Sequence, residues 1–270
     1  MQNSKENTDR TSSDQKGLKG LFEVLLRRYK TAMHILTVLP LYLISCGLIG
    51  LGLYPAVRLF QWTLEFTQSW PKEAHALALA LSFPFGYLAY GVSMMVILPV
   101  FNSIGGLRLK AWRGSYYSVQ AVPWYIHNAL TYILRFTFLE FITPTPLLNL
   151  FYKCMGMKIG DGTVINTTYI SDPSLISLGE KVTLGGSVTI VGHYGQGGYL
   201  VLAPVEIGDR ATIGLKASVM GGAKIGADAK ILPHSVVLPK TEIPAGETWG
   251  GVPAKRIQMD DLKQKKIAAN

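Results

Sequence analysis

The chain has 270 residues, is 49% apolar with a mean hydropathy of +0.25, and carries 26 Lys and Arg against 17 Asp and Glu, a net charge of +9. So apolar a balance argues against a wholly water-borne protein and for a membrane part joined to a compact soluble part, with length enough for two domains. The basic excess clusters beside apolar spans, which assigns it to lipid phosphate and topology; the basic stripe with stacking aromatics that nucleic-acid binding asks for is not evident.

Residues 1–17 are polar, rich in Ser, Asn, Asp and Lys, and predict a disordered leader. No cleavable secretory signal is expected, because the leader is long and polar and the apolar stretch behind it exceeds a signal h-region. Residues 18–115 read as a membrane region. At its start Leu21, Phe22, Val24, Leu25 and Leu26 alternate with Lys19, Arg27, Arg28 and Lys30, either a helix lying on the membrane surface or the charged start of the next helix. Uncharged apolar runs at about 32–53 and 76–104 are long enough to cross a hydrocarbon core of ~30 Å, which gives two transmembrane helices, the second with kink points at Pro84 and Pro99. A buried soluble helix pair is the competing reading, but uncharged runs of this length are rare in soluble proteins.

Lys19, Arg27, Arg28 and Lys30 precede the first run and Arg108, Lys110 and Arg113 follow the second, while the loop between them holds only Arg58 and Lys72. The positive-inside rule then predicts a multi-pass protein of the inner or plasma membrane, with both ends and the C-terminal domain in the cytoplasm. Cys46 lies within an apolar run and Cys154 near the start of the C-terminal domain, so no disulfide between them, and a reducing compartment, are expected.

Residues 116–150 are aromatic but interrupted by His127, Arg135 and Glu140, which favours an interfacial helical connector over a third span. Pro144 and Pro146 are expected to end any helix there and deliver the chain to its next domain, 151–257. Within that domain an apolar residue returns every six positions, at Leu178, Leu184 and Ile190, then after an interruption at Ile207, Ile213, Val219, Ile225, Ile231, Val237, Ile243 and Trp249. A helix needs a period near 3.6 and a flat strand a period of two, so a sustained six predicts a β-helix in which each hexad forms one side of a coil. Small residues recur four positions further on at Ala211, Ala217, Ala223, Ala229 and Ser235, as the inside of a tight corner requires. Residues 258–270 form a polar tail, expected to make a short helix or to fray.

The repeat is interrupted after Ile190 by Val191-Gly192-His193-Tyr194 and a Gly-rich excursion to Leu202, expected to be a flexible loop, before Pro204-Val205-Glu206-Ile207 restores the beat. A β-helix is a rigid rod, so reactive groups belong where its winding breaks. His193 stands there, and an imidazole, which titrates near neutral pH, suits proton removal from a hydroxyl or amine. His34, His75, His127 and His234 have no partners at a recognisable spacing, and no set of metal ligands is expected.

The hexads Ile207-Gly208-Asp209, Ile213-Gly214 and Ile225-Gly226, closed by Gly251-Val252-Pro253-Ala254-Lys255, resemble those of the hexapeptide-repeat acyltransferases. The resemblance implies a mainly β fold, a left-handed parallel β-helix with three hexads to a coil, here preceded by an α-helical membrane-spanning region, and a homotrimer with sites between subunits. Thr143-Pro144-Thr145-Pro146-Leu147-Leu148, continuing through Tyr152, Gly156, Ile159 and Gly160 and taken with the paired spans, is similar to the membrane-linked C-terminal β-helix units of polylysine-synthetase-type peptide synthetases. The order Asn166, Asp172, Leu178, Leu184, Ile190, His193, Pro204-Val205-Glu206-Ile207-Gly208 resembles the site pattern of sugar-type hexapeptide acetyltransferases.

The sugar-type site pattern implies His193 as general base, with Asn166 and Asp172 one coil below orienting the acceptor or the imidazole, although an Asp before Pro173 is also a common turn residue. For the donor, an acyl-CoA or a phosphopantetheine thioester on a carrier protein, the resemblance implies contacts from Leu215, Pro233, Lys240 and Lys255. Thr212 stands where the family often has Trp, and Leu232-Pro233-His234 replaces small residues, both of which put coenzyme A itself in doubt. The implied activity is transfer of an acyl or aminoacyl group to a hydroxyl or amine; the alternative is a non-catalytic trimeric scaffold of a membrane-bound peptide or polysaccharide biosynthesis complex.

Overall fold

The computed structural model describes residues 12, 13 and 15–258; most of the polar leader and nearly all of the tail lie outside these residues. Helix α1 (Gly17–Arg28) buries Gly20, Glu23 and Leu26, and a break at Tyr29 (φ −115°, ψ 51°) makes it a helix of its own and not the first turns of the next. Helices α2 (Lys30–Phe66) and α3 (Lys72–Ile104) form an antiparallel pair. The first apolar stretch therefore runs on well past residue 53, and the expected loop shrinks to residues 67–71. Between Leu53 and Phe66 only Pro55 opposes helix, and α2 absorbs it as it absorbs Pro40. At the turn, Thr67 Oγ1 lies 2.7 Å from His75 Nδ1 and ties the two helices together.

Small residues let the pair close. A Cβ on Gly52 would stand 2.4 Å from Met94 Sδ, and one on Gly86 would meet Ala56 at 3.3 Å. Stretches 38–66 and 72–104 are long and apolar enough to cross a membrane, and outward side chains such as Leu51, Val57, Phe83 and Val96 are exposed. Gly91 leaves room for the Phe138 ring, which its Cβ would otherwise meet at 2.2 Å, so the connector packs directly on α3.

The connector holds α4 (Val122–Leu134), a π-turn at Arg135–Leu139 and α5 (Pro146–Cys154). Pro146 begins α5 where the sequence suggested that it would end a helix, because a proline at the first helical position has no N–H to lose. Leu148, Phe151 and Tyr152 are fully buried, and α5 plugs the first coil: Tyr152 Oη donates to the Thr168 carbonyl at 3.2 Å and Asn149 Nδ2 to that of Thr163 at 2.8 Å.

From Lys158 the chain winds around three parallel sheets, one per face of a prism. The first face stacks Ile159, Leu178, Ile207, Ile225 and Ile243; the second Ile165, Leu184, Ile213, Ile231 and Trp249; the third Ile170, Ile190, Val219 and Val237. The winding thus begins a full coil before Leu178. All but the half-buried Trp249 are buried, and each such aliphatic contributes roughly 1.5–3 kcal/mol. Three residues after ten of these fourteen inward positions the backbone turns through the left-handed region, at Lys181, Ser187, Arg210, Lys216, Asp228, His234 and Lys240 with φ 54–59°, or at Gly162, Gly222 and Gly246. The next residue closes the corner, and Val182, Val188, Ala211, Ala217, Ala223, Ala229 and Ser235 have no solvent exposure. Lys255–Arg256 folds back antiparallel on Thr248–Gly250 to end the second face.

Candidate active site

The excursion after the third face is ordered. His193–Gln196 and Tyr199–Leu202 pair antiparallel around Gly197 and Gly198, both at positive φ (58° and 81°), as a tight hairpin turn requires. Trp112–Ser115, at the end of the stretch read as membrane region, adds a third strand through Tyr199–Leu202, and the Arg113 guanidinium lies 4.6 Å above the Tyr199 ring. The expected flexible loop is replaced by a small sheet because Tyr194, Leu200, Val201 and Leu202 find apolar cover, Leu200 and Leu202 against Leu109, Ala121 and Leu175.

His193 leads this hairpin. Gly192 precedes it, where a Cβ would stand 2.9 Å from that of Leu175 and 3.1 Å from that of Asp172; Gly221, one coil on, has space for a Cβ only 3.0 Å from His193 N. The imidazole is 23% exposed, and its Nδ1 lies 2.5 Å from Asp172 Oδ2. Asp172 is fully buried in the left-handed region (φ 60°) ahead of Pro173, a strained conformation that a short polar side chain tolerates when its surroundings fix it.

Asn128 of α4 does the fixing. Its Nδ2 donates to Asp172 Oδ1 at 2.7 Å and its Oδ1 accepts the Asp172 N–H at 3.3 Å, while Nδ2 also reaches the Trp124 carbonyl at 3.0 Å. One helical turn back, the Trp124 indole packs edge-on against the His193 ring, centroids 5.0 Å apart. Neither residue was singled out for the site from sequence; their four-residue spacing, which puts both on one helix face, was the available signal. Deeper still, His127 is fully buried with Nδ1 2.8 Å from Asn102 Oδ1. Burial pushes its pKa down to about 4, against an opposing pull from the Asp172 charge, so the ring is neutral at physiological pH.

The sequence-derived residues divide between two edges of the prism. Asp172, His193 and Lys240 lie where the third face turns into the first; Lys240 N–H donates to the Gly221 carbonyl at 3.2 Å, above the His193 strand. Asn166, Leu215 and Pro233 stack where the second face turns into the third, for a Cβ on Gly186 would meet Leu215 Cδ1 at 3.1 Å and Asn166 Nδ2 at 3.7 Å, and one on Gly214 would meet Pro233 N at 2.5 Å. Asn166 is thus one coil below, as its place in the sequence suggested, but on another corner, away from the imidazole of its own chain. Lys255 is exposed on the final strand. Among the described residues no three His, Cys, Asp or Glu side chains are grouped to hold a metal, and Cys46 and Cys154 are both free and exposed.

No family model matches the chain. It is 25% identical over 228 residues to delta-poly-L-ornithine synthetase of Acinetobacter baumannii (strain AB307-0294), an alignment covering 82% of this chain and 17% of that enzyme. YvoF of Bacillus subtilis (strain 168), named as an acetyltransferase, is 25% identical over 158 residues, 53% of this chain and 88% of that protein. Gamma carbonic anhydrase 2 of Arabidopsis thaliana mitochondria is 30% identical over 115 residues, 40% of each chain. In its repeat and in these relatives the chain is similar to the hexapeptide-repeat acyltransferases. Its likeness to the polyornithine synthetase takes in the helical region as well as the prism, although it spans less than a fifth of that enzyme's length.

Proposed function

We propose that the chain is a membrane-anchored acyltransferase that moves an acyl or aminoacyl group from a thioester, on coenzyme A or a carrier protein, to a hydroxyl or amine, with His193 as general base. The observation that carries this reading is the buried Asp172 carboxylate bonded to a partly exposed imidazole at the one break in the prism. An ionised carboxylate only accepts, so the proton between them belongs to His193 Nδ1, which leaves the Nε2 lone pair as the base. Nε2 takes the proton of the acceptor's O–H or N–H as that atom bonds to the thioester carbonyl carbon. The C–S bond then breaks, and the imidazolium returns the proton to the departing thiolate. Asp172, held by Asn128, keeps the tautomer and stabilises the imidazolium.

On the same reading the winding is left-handed and the working unit is a trimer, in which one chain's His193 edge meets a neighbour's edge carrying Asn166, Leu215 and Pro233. Lys240 and Lys255 then serve the anionic end of the donor. Helices α2 and α3 anchor the unit in the inner or plasma membrane, with the prism on the cytoplasmic side that the flanking Lys and Arg favour. His193→Ala should lower turnover of thioester and acceptor by about 10²–10⁴-fold, the usual contribution of a positioned base, while folding and assembly stay unchanged. Unaltered turnover would place the base elsewhere, and absence of turnover in the parent as in the variant would favour the scaffold role.

A further inference from the structure

A cavity of about 450 Å³ lies between α1, the first half of α2 and the connector, walled by Phe22, Leu26, Leu41, Ile44, Tyr125 and Ile126 among others. This is within the size range of sites for small molecules and cofactors, roughly 300–1,000 Å³. Its lining is mostly hydrocarbon, with three phenols. The one hydroxyl besides Tyr116, Tyr117 and Tyr125 belongs to Ser118, and its Oγ already accepts from the Gln120 N–H. A polar ligand would find little to bond there; an alkyl chain would find a matching wall.

Two further features say which alkyl chain. The cavity's α2 wall continues into stretch 38–66, which is long and apolar enough for a bilayer, so the cavity is walled by the same helix that would enter the membrane. Lys16, just before α1, and Lys19 and Arg28 on it are exposed, and they complement an anionic headgroup. Tyr116 and Tyr125 of the cavity also pack edge-on against Trp124, at 6.3 and 4.8 Å between ring centroids, and Trp124 packs on His193. One indole separates hydrocarbon cavity from imidazole. The residues assigned to the thioester donor lie on the prism, away from these helices.

We propose that this cavity holds the hydrocarbon chain of a bilayer-resident acceptor with an anionic headgroup, so that the headgroup's hydroxyl or amine is presented to the His193 edge. The inference rests on the acyltransferase reading and names its substrate class: a lipid, or a molecule carried on one, in place of a free sugar or amino acid.

The test uses the full chain in nanodiscs of phosphatidylcholine and phosphatidylglycerol with a trace of phosphatidylglycerol bearing a diazirine in its acyl chain. After irradiation, labelled peptides are mapped by mass spectrometry. Residues 22–26, 41–44 and 116–126 should label several-fold above the exposed Val92 and Val96 of α3. Leu41→Trp and Ile126→Trp, which fill the cavity from opposite walls, should each remove the label on 116–126 and leave that on α3. His193→Ala should label as the parent does. Uniform labelling of the cavity and α3 would mean ordinary annular lipid and overturn the site. Labelling by a diazirine-bearing long-chain acyl-CoA but not by the phospholipid would give the cavity to the donor and overturn it too. Transfer to soluble acceptors with an unlabelled cavity would sink the lipid site and spare the transferase. A labelled cavity with no transfer from any thioester would sink the transferase, and with it the acceptor role.

Discussion

Asp172 combines full burial, a left-handed backbone and a negative charge, and each of these is made tolerable by a named neighbour: Asn128 for the N–H and one carboxylate oxygen, His193 for the other. Asn128→Ala removes both bonds from α4 and leaves a buried oxygen short of a donor, which should cost about 1–3 kcal/mol in denaturant unfolding. It should also lower kcat more than it raises KM, because the carboxylate that aims the imidazole loses its own anchor. Asn128→Asp should be worse on both counts, since a second carboxylate would face the first. Beside this pair, the folded pKa of His127 is depressed to about 4 from an unfolded value near 6.5, so between those values the unfolded chain binds more protons than the folded one. Stability from this residue is complete above pH 6.5 and lost as pH falls toward 4, by roughly 3 kcal/mol in all. Melting of the parent across that window should therefore steepen relative to His127→Asn, whose side chain does not titrate; parallel curves would mean that the ring is hydrated and ionises freely. Of these residues, His193 was legible as the imidazole at the break in the repeat, and Asp172 only through the resemblance to sugar-type hexapeptide acetyltransferases. Asn128 was not, because an Asn on an aromatic helix acquires meaning only when that helix is laid across the prism, and no local pattern states where it is laid.

At the scale of elements the period of six carried the fold, because every coil reuses one solution: an inward aliphatic, a left-handed corner, a small residue beneath it. The glycines of these corners fall into two kinds with different sensitivities. Gly214 sits so close to the coil above that a Cβ would stand 2.5 Å from Pro233 N and 2.8 Å from the Ile231 carbonyl oxygen, backbone atoms that have nowhere to go. Gly246 has φ 74° and nothing within 4 Å. Gly214→Ala should thus cost about 1–3 kcal/mol or more through overpacking, and Gly214→Asn should be no better. Gly246→Ala should cost about 1–2 kcal/mol through backbone strain alone, and Gly246→Asn should recover most of it because Asn tolerates that conformation. Identical behaviour of the two positions in thermal unfolding would refute the distinction. The helices were less legible. The extent of α2 past residue 53 was missed because the charged residues Arg58 and Glu65, which break an apolar run, are also good helix formers. The hairpin at 193–202 was missed because Gly-rich composition signals both a loop and a tight turn, and its third strand arrives from residues 112–115, remote in sequence.

In the whole molecule, the two sets of site residues stand on different edges of one prism. His193 and Asp172 occupy the edge between the third and first faces, Asn166, Leu215 and Pro233 the edge between the second and third, with the third face between them. A single chain cannot close a cleft from edges that point apart. Three chains around an axis can, since a heterologous contact repeated round a closed ring sets one edge of each chain against the other edge of the next. Consider a chain lacking the base, His193→Ala, and a second lacking the opposing edge, Asn166→Ala with Leu215→Trp. Each alone should be inactive as a homo-oligomer. Co-expressed in equal amounts and purified through a tag on each, they should regain activity, because an interface that takes His193 from the second chain and the edge from the first is intact. In every mixed trimer that both tags select, one interface of the three, about a third, meets that condition. Recovery near that fraction, measured as thioester consumed per chain in the mixed preparation against the parent, would establish the shared site. If the mixture stays as inactive as either variant while mass measurement shows mixed oligomers, the cleft lies within one chain, and Asn166, Leu215 and Pro233 have no part in it.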